Sequence, residues 1–242
     1  MNLIKDLEKN IDFCTDPRAY EVVEQFASSN FCHFINKQPI DVKNIVVVGA
    51  YHGDEIYFYL NHYPNSTIYA FEPHPVHYNV LYDRFKQNSR VKTYNLAASN
   101  ENNNQKAFYV TDAEGNSSLL RFQGHELGHP MKVVDKIYVN CTRIDRMVEL
   151  CNKEIDLIQI DVQGAEKFVL FGLQHILHNI NSFILETHTH QFEKPWDEEP
   201  YKGQTYLEDF VSFFEKTGIE AHSVGLDNEH HNGQGNSFWY RK

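Results

Sequence analysis

NIVVVGAYHG, residues 44–53, followed at 66–73 by STIYAFEP, decides the fold of this chain. The first stretch opens as a near-continuous β-branched run, the pattern of a strand covered on both faces. It ends in Gly49-Ala50-Tyr51-His52-Gly53 and runs into DEIYFYLNHY (54–63), whose apolar spacing is helical. A strand, a glycine loop and a helix in that order set backbone N–H groups and a helix N-terminus above the strand end. The second strand closes on Glu72-Pro73, with the acid twenty-three residues beyond Gly49. At about that separation an acid after the second parallel strand can accept the hydroxyls of a ribose. The two features together, in this order, point to a cofactor that contains adenosine.

Outward from this unit, VKTYNLAAS (91–99), DLIQIDV (156–162) and NSFILETH (181–188) read as further strands, with crossover helices in PVHYNVLYDRFKQN (75–88) and AEKFVLFGLQHIL (165–177). YLEDFVSFFEKTG (206–218) is a helix ending at Gly218. EAHSVGL (220–226) and SFWYRK (237–242), joined by the polar loop DNEHHNGQGN, form an antiparallel pair. The expected fold is α/β: a Rossmann-like, doubly wound, seven-stranded sheet, mostly parallel, with an antiparallel C-terminal hairpin. Residues 1–40, with apolar positions such as Leu3, Leu7 and Ile11 at helical spacing, read as an N-terminal helical cap, and 41–242 as the cofactor-binding domain. NENNNQ (100–105) reads as a loop.

With 242 residues, 41% of them hydrophobic and 14% aromatic, the chain buries its own core. Its 22 Lys and Arg against 33 Asp and Glu give a net charge of −11, which argues against nucleic acid as a partner. Cys14, Cys32, Cys141 and Cys151 show no C-x-x-C spacing and no disulfide framework, so reduced thiols and a cytoplasmic location are expected. The first residues contain neither a signal-peptide core nor a run long enough to span a bilayer.

Nicotinamide dinucleotides and S-adenosylmethionine both use such a loop and acid. Gly49-Ala50-Tyr51-His52-Gly53 does not fit G-x-G-x-x-G, and Tyr51 and His52 crowd the approach of a pyrophosphate. S-adenosylmethionine carries no phosphate and tolerates them better.

The pieces VVVGAYHG (46–53), YAFEPHP (69–75), YNLAAS (94–99), NSSL (116–119), CTRID (141–145), DLIQIDVQGAEKFVLFG (156–172) and ILETH (184–188) resemble, in order, the FkbM-type S-adenosylmethionine-dependent methyltransferases. The resemblance implies a class I methyltransferase fold and methyl transfer to a hydroxyl oxygen of a sugar, glycan or natural-product metabolite. It implies that, in the cofactor loop Gly49-Ala50-Tyr51-His52-Gly53, Gly49, Ala50 and Gly53 hold the amino-acid end of the cofactor through the backbone, that Glu72 holds the ribose, that Pro73 packs against the adenine, and that Leu96, Ala97 and Ala98 line its slot. The chain departs from the family pattern at Val47, where an acid is usual, and at Tyr51, where Asn is usual, so an anchor of the loop is missing.

In a doubly wound sheet chemistry gathers beyond the C-terminal strand ends. Asp161 and Gln163 after the fourth strand, and Glu186 and His188 at the end of the fifth, should converge beside the donor. His188 and Asp161 are the candidate bases, with Glu186 orienting the histidine. Asp161, Glu186 and His188 could instead bind a divalent ion such as Mg²⁺, or Asp161 and Glu186 could serve only as hydrogen-bond acceptors that hold loops and the donor's ammonium.

His125-Glu126-Leu127-Gly128-His129 matches the H-E-x-x-H zinc peptidase pattern, but Gly124, Gly128 and Pro130 oppose the helix that the pattern needs. Residues 111–136 are expected to form a loop over the acceptor site. HQFEKPWDEEPYKGQTY (190–206) is long for a connection; Phe192, Trp196 and Tyr201 could face a sugar ring, and Asp197, Glu198 and Glu199 its hydroxyls or a cationic group. His230 and His231 read as exposed loop residues. The expected partner is a small-molecule or glycan acceptor. The alternatives are a cofactor-binding or interaction protein without turnover, a nicotinamide enzyme, and the zinc peptidase.

Overall fold

A computed structural model describes residues 41–188, 200–215, 217–226 and 234–241. The expected cap at 1–40, the residues of the long connection from His190 to Glu199, and His230 and His231 lie outside the described residues.

β1 (Asn44–Val48) pairs in parallel with β2 (Thr67–Phe71) on one side and β7 (Ile155–Ile160) on the other. Alternate residues explain its burial on both sides. Ile45 and Val47 pack in one core with Ile56, Phe58 and Tyr59 of α1 (Asp54–His62) and Leu81 and Phe85 of α2 (Pro75–Phe85). Val46 and Val48 enter the opposite core with Val169 and Leu170 of α3 (Glu166–Phe171) and Phe210 and Phe214 of α4 (Leu207–Phe214). Each fully buried Val or Ile contributes about 1.5–3 kcal/mol, and the two-sided pattern fixes strand register as well.

The sheet order is β3-β2-β1-β7-β8-β10-β9, with β3 Val91–Tyr94, β8 Ile180–His188, β9 Ile219–Leu226 and β10 Gln234–Arg241. β10 runs antiparallel to both β8 and β9 and lies between them, so the C-terminal pair closes a sheet that is otherwise parallel. The chain leaves β1 toward β2 and β3 and later fills the other side from β7. The strand order therefore reverses between β1 and β7, where a crevice opens above the strand ends.

Pro75 opens α2 at the position where a missing N–H costs nothing. Asp209 accepts from the Tyr206 N–H at 3.0 Å and closes a capping box at the start of α4. Among the described residues no helix is long and apolar enough to cross a membrane.

Several expectations need correction; β10 starts at Gln234, inside the loop expected over 227–236, and α4 ends at Phe214 rather than at Gly218. The run 91–99 is two strands: β3 stays in the main sheet, while β4 (Ala97–Ala98) joins a second sheet of order β4-β6-β5. β5 (Asn103–Thr111) begins inside the presumed loop 100–105. Residues 111–136 are not all loop, because β6 (Val133–Thr142) starts within them and pairs antiparallel with β5. The crossover helix expected over 165–177 stops at Phe171; Gly172 just after it is required by the close approach of the Ser99 carbonyl, 2.0 Å from where its Cβ would lie.

Candidate functional site

Gly49 and Tyr51 carry the turn above β1 in left-handed backbone, at φ 81 and 46. A Cβ at Gly49 would lie 1.7 Å from the Asp161 carbonyl oxygen, so the glycine is required by the close approach of β7. The N–H groups of Gly49 and Ala50 both donate to the Phe71 carbonyl, at 3.0 and 2.9 Å, and that of Gly53 donates to Ala50 at 2.7 Å. These loop donors are spent within the fold. Tyr51 occupies a conformation easy for Asn and costly for a bulky residue; its hydroxyl donates to Glu114 at 2.9 Å and its ring stacks on His52 at 3.8 Å.

The loop is tied to β2 through Glu72, which is 6% exposed. Its two oxygens accept from the Tyr51 N–H at 2.9 Å and the His74 N–H at 2.7 Å. Burial nevertheless pushes this carboxyl up to about 7. A carboxylate has about four acceptor positions, so two remain for a ligand.

A cleft of about 250 Å³ lies over the ends of β1, β2 and β7. Of the expected cofactor residues, Gly49, Tyr51, Glu72 and Pro73 line it, as do Leu96, Ala97, Ala98, Asp161 and Gln163. Ala50, His52 and Gly53 are not among its lining residues; Gly53 instead lets α1 pack closely on Leu81 and Phe85. The sequence reading missed Glu55, His74, His77, Phe108 and Glu114, which also line it. Glu55 had a legible signal in its place in the first turn after the loop, whereas Phe108 and Glu114 arrive through the second sheet. Four carboxylates face the cleft, and among its described lining residues there is no lysine or arginine. Glu55 is pushed up to about 7 and Asp161 well above the carboxylate range, first by desolvation and then by neighbouring acids.

The candidate catalytic residues fall on two sides of a partition. Asp161 faces the first cleft, and His188 lines a second one of about 420 Å³ together with Asp112, Asn116, Phe122, His129 and Tyr201. Gln163 lines both. Its Nε2 donates to Asp161 Oδ1 at 2.9 Å and to Glu186 Oε1 at 3.0 Å. His188 is 5% exposed, its Nε2 has no hydrogen-bond partner among the described residues, and Glu186 Oε2 lies 3.9 Å away. Burial lowers this imidazole to about 4, so it is neutral near pH 7.

Among the described residues no group of three His, Cys, Asp or Glu side chains has metal-binding geometry. The Gln163 amide stands between the two carboxylates suggested as metal ligands. Gly124–Leu127 is a single 3-10 turn ending at Gly128 (φ 102), and His125 Nδ1 bonds the His129 carbonyl at 3.0 Å. The two histidines therefore do not share one face of an α-helix.

The methyltransferase FkbM domain model matches residues 48–220. The chain is 27% identical over 192 residues to Methyltransferase 1 of Beauveria bassiana, covering 72% of this chain and 77% of that one. Its fold is similar to that of magnesium protoporphyrin IX methyltransferase from Synechocystis PCC 6803, solved with bound S-adenosylmethionine, at 6% identity and TM-score 0.50, covering 100% and 92% of the two chains. A protein of Clostridium thermocellum provisionally named an rRNA methylase is similar at 6% identity and TM-score 0.50, covering 86% and 91%.

Proposed function

The chain belongs to the FkbM methyltransferase family, and on that premise we propose that it transfers the methyl group of S-adenosylmethionine to a hydroxyl oxygen of a small-molecule or glycan acceptor. The observation that carries this reading is the charge of the first cleft. Glu55, Glu72, Glu114 and Asp161 face it, and no lysine or arginine does among the described lining residues. A pyrophosphate would meet four acids and no cation, whereas a ligand bearing a sulfonium and an ammonium meets complementary charge.

The residues fit the cofactor. Glu72 retains acceptor positions for two ribose hydroxyls, and Pro73, Leu96, Ala97 and Ala98 offer an apolar slot for the adenine. Asp161, with Glu55, takes the positive end. When bound, S-adenosylmethionine supplies an electrophilic methyl group. The chain's part is then to hold the acceptor in line and remove its proton.

The second cleft suits the acceptor, since it meets the first at Gln163 and is lined by His188, whose unpartnered Nε2 is buried, so the acceptor hydroxyl has to reach it behind the cleft wall. That nitrogen accepts the hydroxyl proton as the new bond to carbon forms, with Nδ1 carrying the ring hydrogen beforehand. Glu186, 3.9 Å away, stabilises the imidazolium. The lack of lysine and arginine among the described lining residues of both clefts favours a metabolite or glycan over a nucleic acid, although the fold is shared with a protein provisionally named for RNA.

Calorimetric titration with S-adenosylmethionine, S-adenosylhomocysteine and NADH tests the donor; incubation with methyl-labelled donor and sugar or metabolite pools tests transfer. Micromolar binding of the first two and none of NADH supports the reading. Donor binding without labelled product across all pools would favour a binding protein without turnover, and no donor binding would overturn both.

A further inference from the structure

Gln163 stands in left-handed backbone at φ 55, a conformation that costs a residue with a side chain about 1–2 kcal/mol and persists where the surroundings enforce it. The surroundings are two carboxylates and a phenol. Nε2 donates to Asp161 Oδ1 at 2.9 Å and reaches Glu186 Oε1 and Oε2 at 3.0 and 3.2 Å. Oε1 lies 3.2 Å from the Tyr201 hydroxyl, whose single hydrogen it shares with the nearer Asn116 carbonyl at 2.7 Å. An amide has one donating and one accepting end, so the carboxylates draw the NH₂ toward themselves and leave the oxygen facing the phenol. The nitrogen thus lies where a bridging divalent ion would lie, and its two hydrogens serve the two carboxylates in turn.

The bridge has its task where the first cleft takes S-adenosylmethionine, as the methyltransferase reading above has it. We infer that Gln163 is a positioning residue that takes the place of a cation: it holds Asp161 toward the donor cleft and Glu186 beside His188, and the donor site is complete without a divalent metal. The charge balance of the neighbourhood agrees. Asp161 repels Glu55 of α1 and Glu166 of α3, and Glu186 acts on Asp161 both by its charge and through a side-chain hydrogen bond, while His188 and Tyr201 contribute no charge near neutrality. An amide fills the gap with partial positive charge and adds no proton equilibrium of its own. It also occupies the wall shared by the two clefts, so the group that sets the acids also sets the separation of donor and acceptor.

The test uses the full chain, Mn²⁺ alone as the metal probe and S-adenosylhomocysteine as the donor-site probe. Wild-type protein should bind S-adenosylhomocysteine equally in chelator and in millimolar Mg²⁺, and should leave the Mn²⁺ electron paramagnetic resonance signal unchanged. Gln163→Glu exchanges the NH₂ for an oxygen and brings three carboxylates together. It should bind Mn²⁺ at least about tenfold more tightly than wild type, and lose about tenfold in S-adenosylhomocysteine affinity unless the ion is present, the scale of one charged hydrogen bond. Gln163→Asn keeps the amide and suits left-handed backbone, but is one methylene too short to reach both acids. It should lose about three- to tenfold in S-adenosylhomocysteine affinity with an unchanged melting temperature and no gain of metal, a result that a purely structural role would not produce. Wild-type binding that requires a metal, a folded Gln163→Glu that gains no Mn²⁺, or full affinity in Gln163→Asn would overturn the inference. If wild type bound no S-adenosylhomocysteine under any condition, the methyltransferase reading would fall, and the Mn²⁺ comparison would still decide whether the amide replaces a cation.

Discussion

Glu72→Gln is the perturbation that bears most directly on the donor site. It changes one atom and no shape. In the wild type one carboxylate oxygen accepts from the Tyr51 N–H at 2.9 Å and the other from the His74 N–H at 2.7 Å. An amide has one accepting end, so one of these N–H groups would face an NH₂, at a cost of about 1–3 kcal/mol for a buried unsatisfied donor. The proposed ribose contacts lose a further 1.5–3 kcal/mol or so for each charged hydrogen bond. The expected outcome is a dissociation constant for S-adenosylhomocysteine raised by about a hundredfold or more, measured by calorimetry at pH 8 alongside the melting temperature. The pH dependence separates charge from shape. Glu72 and Glu55 both sit at about 7 in the free protein, and a positively charged ligand with ribose hydroxyls binds their ionised forms. Wild-type affinity should therefore fall as pH drops from 8 to 6, by about tenfold for each of the two carboxyls. The variant should keep only the part due to Glu55. A folded Glu72→Gln protein that binds within about threefold of wild type, with an unchanged pH slope, would refute the placement of the donor.

His188→Ala should lower methyl transfer by about 10²–10⁴-fold, the usual range for a lost general base, while S-adenosylhomocysteine affinity stays unchanged; equal turnover in a labelled-methyl assay removes the role. Gly49→Ala should fail to fold or melt far below wild type, since its Cβ would sit 1.7 Å from the Asp161 oxygen, whereas Gly115→Ala, with nothing within 4 Å, should cost only the roughly 1–2 kcal/mol of left-handed backbone; similar melting temperatures would contradict the packing. Thermal stability should fall as pH rises from about 6.5 to 8: Glu55 and Glu72 at about 7 and Glu166 at about 8 hold protons that the unfolded chain has released above about 4.5, so their stabilisation is lost as pH climbs to these values. His77 and His188, at about 4, act in the opposite direction between about 4 and 6.5, where the unfolded imidazoles are protonated and these are not, so the two effects offset each other below pH 6.5; a melting temperature flat from pH 6.5 to 8.5 would show that the carboxyl burials are not maintained in solution.

The main sheet was legible because its strands are buried on both faces. Ile45 to Val48 must be apolar throughout, and such a run has few other readings. The second sheet was not, for the opposite reason. Along β6, Tyr138 is 59% exposed and Val134 54%, while Val139 and Cys141 are buried, so the stretch carries polar residues such as Asp135, Lys136 and Asn140 that read as loop. Its partner β5 begins in an asparagine run, and β4 is two alanines whose pairing to Cys141 and Thr142 spans more than forty residues. The site divided along the same line. Glu72, Asp161, Glu186 and His188 sit at ends of main-sheet strands and could be named from position alone. Glu114, Phe108 and the wall of the second cleft depend on the second sheet. The left-handed turn at Gln163, which places an amide between two acids, has no signature in its neighbours Val162 and Gly164 beyond the glycine itself.

The same order of strand, glycine loop, helix and acid serves ligands of opposite charge, and the backbone hydrogen bonds of this chain determine which it accepts. A phosphate-binding loop works by leaving several N–H groups unsatisfied and aimed at one point. Here the N–H groups of Gly49 and Ala50 converge on the Phe71 carbonyl and that of Tyr51 on Glu72. What the loop leaves facing the cleft is therefore acceptor rather than donor, and Glu55, Glu114 and Asp161 add three carboxylates to the same wall. Their affinity for protons is the measure of what is missing. Glu55 and Asp161 have no basic partner among the described lining residues, so burial first and neighbouring acids second raise them, Glu55 to about 7, and a cation in the cleft favours their ionised forms. A cleft built this way opposes a pyrophosphate with its acids and withholds from it the N–H groups of Gly49, Ala50 and Tyr51, and its electrostatics suit the positive end of a methyl donor.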